Sequence, residues 1–321
     1  MANQLSTVFT AGKGGLLYSL DHAAYVTGRS SVDVFTVADA MYGASVETAE
    51  HYGNDLVIVH SDPFLCAEAI GAVIEYPDAG PPMLKARPVI DSIDESACIH
   101  HGRIPLLLEV VDRIVRHFQN EDRVISTSVT GPFSLAGCIM GESEFLARIP
   151  NAHDELITYV LSLATRVVLY FIEAIIRTGS SVMVAEPLAS LVHQDTFRCR
   201  VIPALVRIRE MGDVYFHFCG RIMHLVDAFM TLSPAYISLD EADLRSVFTR
   251  SEEDIRYIGG LDSLMIFQGF EGPIRERIYG LRQNYGAERL LVCSGCDLIW
   301  NTPPSHGKLV MNIIHGNTDY R

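Results

Sequence analysis

The chain has 321 residues, 49% of them hydrophobic, and a mean hydropathy of +0.20, a composition that fills a sizeable core and excludes a disordered chain. Its 39 acidic residues against 25 basic ones give a net charge of −14, which opposes a phosphate backbone and excludes nucleic acid as the expected partner. Seven cysteines, an odd number, and a start with neither a basic nor an apolar stretch read as reduced thiols in a cytoplasmic protein.

Short apolar, β-branched runs that stop at polar, Gly or Pro residues recur along the chain. They fall at residues 16–20, 56–60, 124–130, 181–186, 214–219, 236–239, 256–261 and 290–293. Ahead of the first, Thr10-Ala-Gly-Lys-Gly-Gly15 lacks the G-x-x-x-x-G-K-[ST] spacing of a phosphate loop and reads as a turn. After the second run, residues 71–90 alternate around Asp78-Ala-Gly-Pro-Pro82 and predict a β-hairpin. Helical spacing separates most of the runs, as in Leu106, Leu107, Val110, Val111, Ile114 and Phe118, and again in Leu156, Val160, Leu163 and Val167. Thr302-Pro303-Pro304 reads as a cap followed by Pro in the first turn of a last helix. The longest apolar run, 167–176, is interrupted by Glu173 and is too short to cross a bilayer, so no membrane partner is expected.

Eight buried strands alternating with helices predict a closed (β/α)8 TIM barrel with a hairpin inserted after the second strand. A doubly wound open sheet is the structural alternative. No repeat or linker divides the chain, so residues 1–321 are read as one domain.

A barrel places its chemistry at the C-terminal ends of its strands. Those positions hold Asp21-His22, Asp62-Pro63, Glu186-Pro187, His217-Phe218-Cys219-Gly220, Asp240-Glu241 and Cys293-Ser294-Gly295-Cys296. Tyr215, His217 and Cys219 share one face of the fifth strand because strand side chains alternate. With one more thiolate from the eighth strand end, Cys293 or Cys296, His217 and Cys219 form a sulfur-rich, three-ligand set with an open position, the pattern of a catalytic zinc. Cys66, Cys138 and Cys199 are expected in the core. His100 and His101 are expected to be solvated, and His224 to serve packing or the surface. Asp62, Glu186, Asp240 and Glu241 are candidate rim carboxylates.

Longer stretches carry a resemblance. Ser61-Asp62-Pro63 with Glu68-Ala69-Ile70-Gly71 and the hairpin, Thr130-Gly131-Pro132-Phe133-Ser134-Leu135-Ala136, and Ser238-Leu239-Asp240-Glu241 resemble elements of the uroporphyrinogen decarboxylase superfamily. His217-Phe218-Cys219-Gly220 and Gly295-Cys296-Asp297, followed by Thr302-Pro303-Pro304, resemble the zinc motif of its cobalamin-linked methyltransferases of the methylcobalamin:coenzyme M type. The resemblance implies zinc held by His217, Cys219 and Cys296, with Cys296 preferred over Cys293. It also implies methyl transfer between a protein-bound corrinoid and a thiol or tetrahydrofolate. A corrinoid carrier protein is the implied partner. Asp240 and Glu241 take the catalytic assignment, as a displaceable fourth ligand or a group orienting the acceptor, and Asp62 and Glu186 the cofactor-binding rim.

The chain departs from this pattern at Gly260-Leu261-Asp262-Ser263, where G-N-x-[DN]-P is usual, and at the extra Cys293. It departs from the decarboxylases in having only Lys13 and Arg29 as cations in its first fifty residues, little countercharge for a poly-acid tetrapyrrole. A metal-free decarboxylase of a smaller acid, and a non-catalytic barrel that binds a corrinoid protein, are the competing expectations.

Overall fold

The computed structural model describes residues 5–10, 14–59, 62–78, 80–151, 153–241, 243–250 and 254–317, with the side chains of Thr10 and Glu241 left aside. Eight parallel strands form the main sheet: β1 (Gly15–Leu16), β2 (Leu56–Val59), β5 (Val124–Thr130), β6 (Ser181–Ala185), β7 (Val214–Arg221), β8 (Tyr236–Glu241), β9 (Arg256–Leu261) and β10 (Leu290–Ser294). Two more, β3 (Val73–Glu75) and β4 (Met83–Ala86), pair antiparallel as the hairpin expected after the second barrel strand.

Each barrel strand lies beside its successor from β2 through β5 to β10, and β10 pairs in parallel with β1. At the remaining seam Asp55 N–H donates to Gly15 O at 3.0 Å, and Gly15 N–H donates to Asp55 Oδ2 at 2.9 Å. The barrel is thus almost closed, and the doubly wound alternative is excluded. The expected first strand, 16–20, shrinks to two residues for a local reason. Leu17 N–H donates to Asn54 Oδ1 (3.2 Å) and Tyr18 N–H to Ser294 Oγ (3.0 Å), so side chains replace a backbone ladder.

Alternation sorts each strand into two cores. Outward residues such as Phe216, Phe218, Leu290 and Val292 join the large core under the helices. Inward ones, among them Tyr18, Ile58, Met183, Tyr215, Ile258, Leu291 and Cys293, fill the barrel together with Leu5, Val8 and Phe9 of the helix Leu5–Thr10. That helix precedes β1, so it closes the end of the barrel opposite the strand C-termini.

The helices follow the spacing read from the sequence. Ile104–His117 buries Ile104, Leu107, Val110, Val111 and Ile114. Glu155–Ile176 is longer than the apolar run suggested: at 22 residues it is long and apolar enough to cross a membrane by length and composition. It packs instead on the barrel flank, against β6 and the helix Pro132–Met140, burying Val160, Leu163, Val167, Phe171 and Ile175. The last helix, Pro304–His315, does start at the double proline, but Thr302 does not cap it; its hydroxyl donates to Ile299 O at 2.7 Å. Cys66 and Cys138 are buried as expected, whereas Cys199 is exposed on a π-helical turn, Phe197–Val201, which turns it away from the barrel.

Candidate metal centre

β7 presents Tyr215, His217 and Cys219 on its inner face, with Tyr215 deepest and Cys219 nearest the strand end. Beyond Cys219 the pairing of β7 with β8 slips in register, and Gly220 at the slip has a φ of 71°, the left-handed conformation that side chains disfavour. Cys296 lies on the turn two residues after β10 ends at Ser294. One ligand atom from each of His217, Cys219 and Cys296 lies within 4.8 Å of the others.

The supports of this cluster come from other strands. Ser238, fully buried on β8, stands 2.8 Å from His217 Nδ1. Tyr18 Oη is 2.9 Å from Ser238 Oγ and donates to Met183 Sδ at 3.5 Å. A single direction satisfies the chain: Nδ1–H to Ser238, Ser238 to Tyr18, Tyr18 to Met183. This leaves His217 Nε2 as the ring acceptor, the tautomer a metal ligand needs.

Asp240 joins the two ligand-bearing turns. Its Oδ2 accepts from Gly220 N–H at 2.9 Å, and a Cβ on Gly295 would lie 2.9 Å from its Oδ1. Only glycine lets the Cys296 turn approach so closely. Asp240, expected as a catalytic group, is thereby committed to holding the turns. Glu241 ends the strand, and its side chain falls outside the described residues.

The thiols are unlike. Cys296 accepts a hydrogen bond from Cys219 and faces His217, and its thiol is pulled down to about 6. Cys219 is pushed above its ordinary range, first by that same hydrogen bond and then by burial. The pair is therefore poised to carry charge at one sulfur near neutral pH. Cys293 belongs elsewhere. It is fully buried in the barrel interior, bonds Ser294 O at 2.9 Å, and burial pushes its thiol up.

The donor set fits a zinc ion. Donors around a tetrahedral zinc lie roughly 3.5–3.8 Å apart, so atoms already within 4.8 Å need only small side-chain rotations. Two sulfurs and one imidazole nitrogen also match the ion's preference and leave one position open.

That open side faces a cavity of about 190 Å³. His217, Cys219 and Cys296 form one wall. Leu20, Pro63, Met183, Ala185 and Pro187 supply apolar surface, and Ser128, Thr130, Tyr18 and Asp297 the polar atoms. Asp297, next to Cys296 on the same turn, accepts from Leu20 N–H at 3.3 Å. Beside it, burial and then the charges of Asp297 and Asp62 push the Asp21 carboxyl up to about 6.

Asp62 and Glu186, expected at a cofactor-binding rim, are not among the side chains lining this cavity. Asp62 is 1% exposed and accepts from Arg103 Nη1 at 2.6 Å and Phe64 N–H at 2.9 Å. Arg103 also donates to Glu68 at 2.8 Å, so an internal ion pair absorbs the charge. Glu186 is fully buried and accepts from Phe133 N–H (3.0 Å), Ser134 N–H (2.9 Å) and Ser134 Oγ (2.8 Å). Its carboxyl takes up two free N–H groups at the start of the helix Pro132–Met140, and burial outweighs those hydrogen bonds and pushes it up to about 7. His100 and His101 stay exposed, and His224 Nε2 meets Val192 O at 3.0 Å.

No curated protein sequence matches the chain. Among solved structures, a methyltransferase from Methanosarcina mazei superposes with a TM-score of 0.87 at 18% identity, covering 98% of this chain and 97% of that one. A B12-independent methionine synthase from Shewanella sp. W3-18-1 gives a TM-score of 0.55 at 14% identity, covering 87% of this chain and 86% of its own. A vitamin-B12 independent methionine synthase of Listeria monocytogenes, described as putative, gives 0.52 at 14%, over 94% and 95%. At these identities the likeness is one of fold. The uroporphyrinogen decarboxylase (URO-D) family model matches residues 17–317, from the end of the first barrel strand to the last helix, and the chain belongs to that family.

Proposed function

We propose that the chain is a zinc-dependent methyltransferase that moves a methyl group from a protein-bound methylcorrinoid to a small thiol. The observation that carries this is the His217, Cys219 and Cys296 donor set forming one wall of a small, mostly apolar cavity. A structural zinc site closes on four protein ligands; three with an adjoining cavity match a site that admits a substrate.

When bound there, zinc would supply the Lewis acidity that keeps an acceptor thiol deprotonated at neutral pH. The chain's own residues do the rest. Ser238 holds the His217 ring so that Nε2 points at the cluster. Asp240 fixes the two turns that carry Cys219 and Cys296. The sulfurs of Cys219 and Cys296 add electron density at the site, which preserves the acceptor sulfur's nucleophilicity. Leu20, Met183, Ala185 and Pro187 exclude water from the reacting sulfur. The acceptor sulfur attacks the methyl carbon; the carbon–cobalt bond breaks with its pair staying on cobalt, giving a methyl thioether and Co(I).

About 190 Å³ lies below the roughly 300–1,000 Å³ of pockets that enclose drug-sized ligands, which favours a thiol over tetrahydrofolate. A corrinoid has to be presented from outside, by a carrier protein. Tyr25 and Trp300, the latter four residues after Cys296, have ring centroids 5.3 Å apart and are about 40% exposed, and they offer such a carrier an apolar surface. The test is anaerobic demethylation of methylcobalamin by zinc-loaded protein, followed by absorbance, with 2-mercaptoethanol, homocysteine, coenzyme M and tetrahydrofolate. Thiol-dependent demethylation that disappears in Cys296→Ser supports the reading. No rate above the protein-free background with any of the four acceptors refutes it.

A further inference from the structure

We infer that the acceptor is a small thiol carrying no anionic group. This rests on the methyltransferase reading and narrows it through the charges around the cavity.

No arginine or lysine is among the described side chains lining the cavity. Its hydroxyl groups include Thr130, which already donates to Pro63 O at 2.9 Å. His217 is committed to the sulfur cluster and Ser238. Arg103, the one arginine buried among the described residues, has its charge matched by Asp62 at 2.6 Å and Glu68 at 2.8 Å. The charged side chain that does line the cavity is a carboxylate, Asp297, and Asp21 stands close enough for its carboxyl to respond to it. A carboxylate or sulfonate tail entering here would lose water without gaining a cation and would face a carboxylate as well. A hydroxyl or methyl tail meets no such penalty, and an ammonium would find Asp297 favourable.

The chemistry of the site adds to this. A zinc ion with two thiolates and a neutral imidazole is electrically neutral. An acceptor that gives its S–H proton to solvent on binding brings one negative charge. A second, on the tail, meets no arginine or lysine among the described side chains lining the cavity. The neutral methyl thioether product suits the apolar lining.

The test is calorimetric titration of zinc-loaded protein with four thiols of similar length: 2-mercaptoethanol, 2-aminoethanethiol, 3-mercaptopropionate and 2-mercaptoethanesulfonate. Proton release is followed by repeating each titration in buffers of different ionisation enthalpy. The first two are expected to bind at least about tenfold more tightly than the last two, the cost of less than one unpaired buried charge. Thr130→Lys, which places a cation in the cavity, should reverse that order. Asp297→Asn should narrow it, giving a second readout should the lysine variant fail to fold. If 2-mercaptoethanesulfonate binds as tightly as 2-mercaptoethanol, the inference is overturned and the methyltransferase reading stands. If none of the four thiols binds zinc-loaded protein, the thiol-acceptor reading falls with it.

Discussion

Replacing Ser238 by alanine should weaken zinc binding without touching a ligand. Ser238 is fully buried, 2.8 Å from His217 Nδ1 and 2.9 Å from Tyr18 Oη. The alanine leaves the ring N–H without its partner and frees the imidazole to rotate or change tautomer. Loss of a group that orients a metal-bound histidine costs about 10–100-fold in affinity, or roughly 1.4–2.7 kcal/mol. Leaving the ring N–H and the Tyr18 hydroxyl poorly satisfied in the interior should also destabilise the fold by about 1–3 kcal/mol. Competition against a chromophoric chelator at fixed pH measures the affinity, and circular dichroism melting checks the fold. Ser238→Thr keeps the hydroxyl and should recover most of the loss. A folded Ser238→Ala protein that binds zinc as tightly as wild type would refute this reasoning. Threonine and alanine variants equally weak would point to packing instead of the hydrogen bond.

Asp62→Asn should lower stability by about 3 kcal/mol, read from denaturant midpoints, because it strips a buried partner from Arg103, yet it should leave the zinc content unchanged. Glu186 holds its proton up to about pH 7 in the fold against an ordinary value of 4.5. The stability it contributes is therefore full below about pH 4.5 and is lost as pH rises through about 7, a span worth roughly 3 kcal/mol. Glu186→Gln should flatten the fall in denaturation midpoint between pH 5 and 7.5, and an unchanged slope would rule out this carboxyl as its source. Gly220→Ala, forced to φ 71°, should cost about 1–2 kcal/mol in stability and weaken zinc binding as well, since the Gly220 N–H anchors Asp240.

The barrel and the convergence of His217, Cys219 and Cys296 were legible because both rest on short periods. Alternation puts His217 and Cys219 on one strand face, and abrupt polar or glycine endings mark the rim. The carboxylates were harder, since a strand-end Asp or Glu looks the same whether it faces a substrate or a buried partner. Asp62 finds Arg103 forty-one positions away on the approach to a different helix, and Glu186 finds amides fifty-two and fifty-three positions back. Nor could the hydrogen-bonded line from His217 through Ser238 and Tyr18 to Met183 be read, because its members come from four separate strands or strand ends. Cys199 was misplaced for a local reason: a π-helical turn shifts the face that ordinary helical spacing would bury. The truncated first strand reflects Asn54 and Ser294 side chains competing for its amides.

Zinc content measured by atomic emission on protein expressed with supplementary zinc tests the central claim most directly. Wild type and Cys293→Ser should each carry about one zinc per chain, while Cys219→Ser and Cys296→Ser should lose most of it, since three such ligands bind tightly and two do not. Wild-type content below about 0.2 zinc per chain would contradict the metal centre itself. A full complement that survives both substitutions would show that the ion sits on other residues.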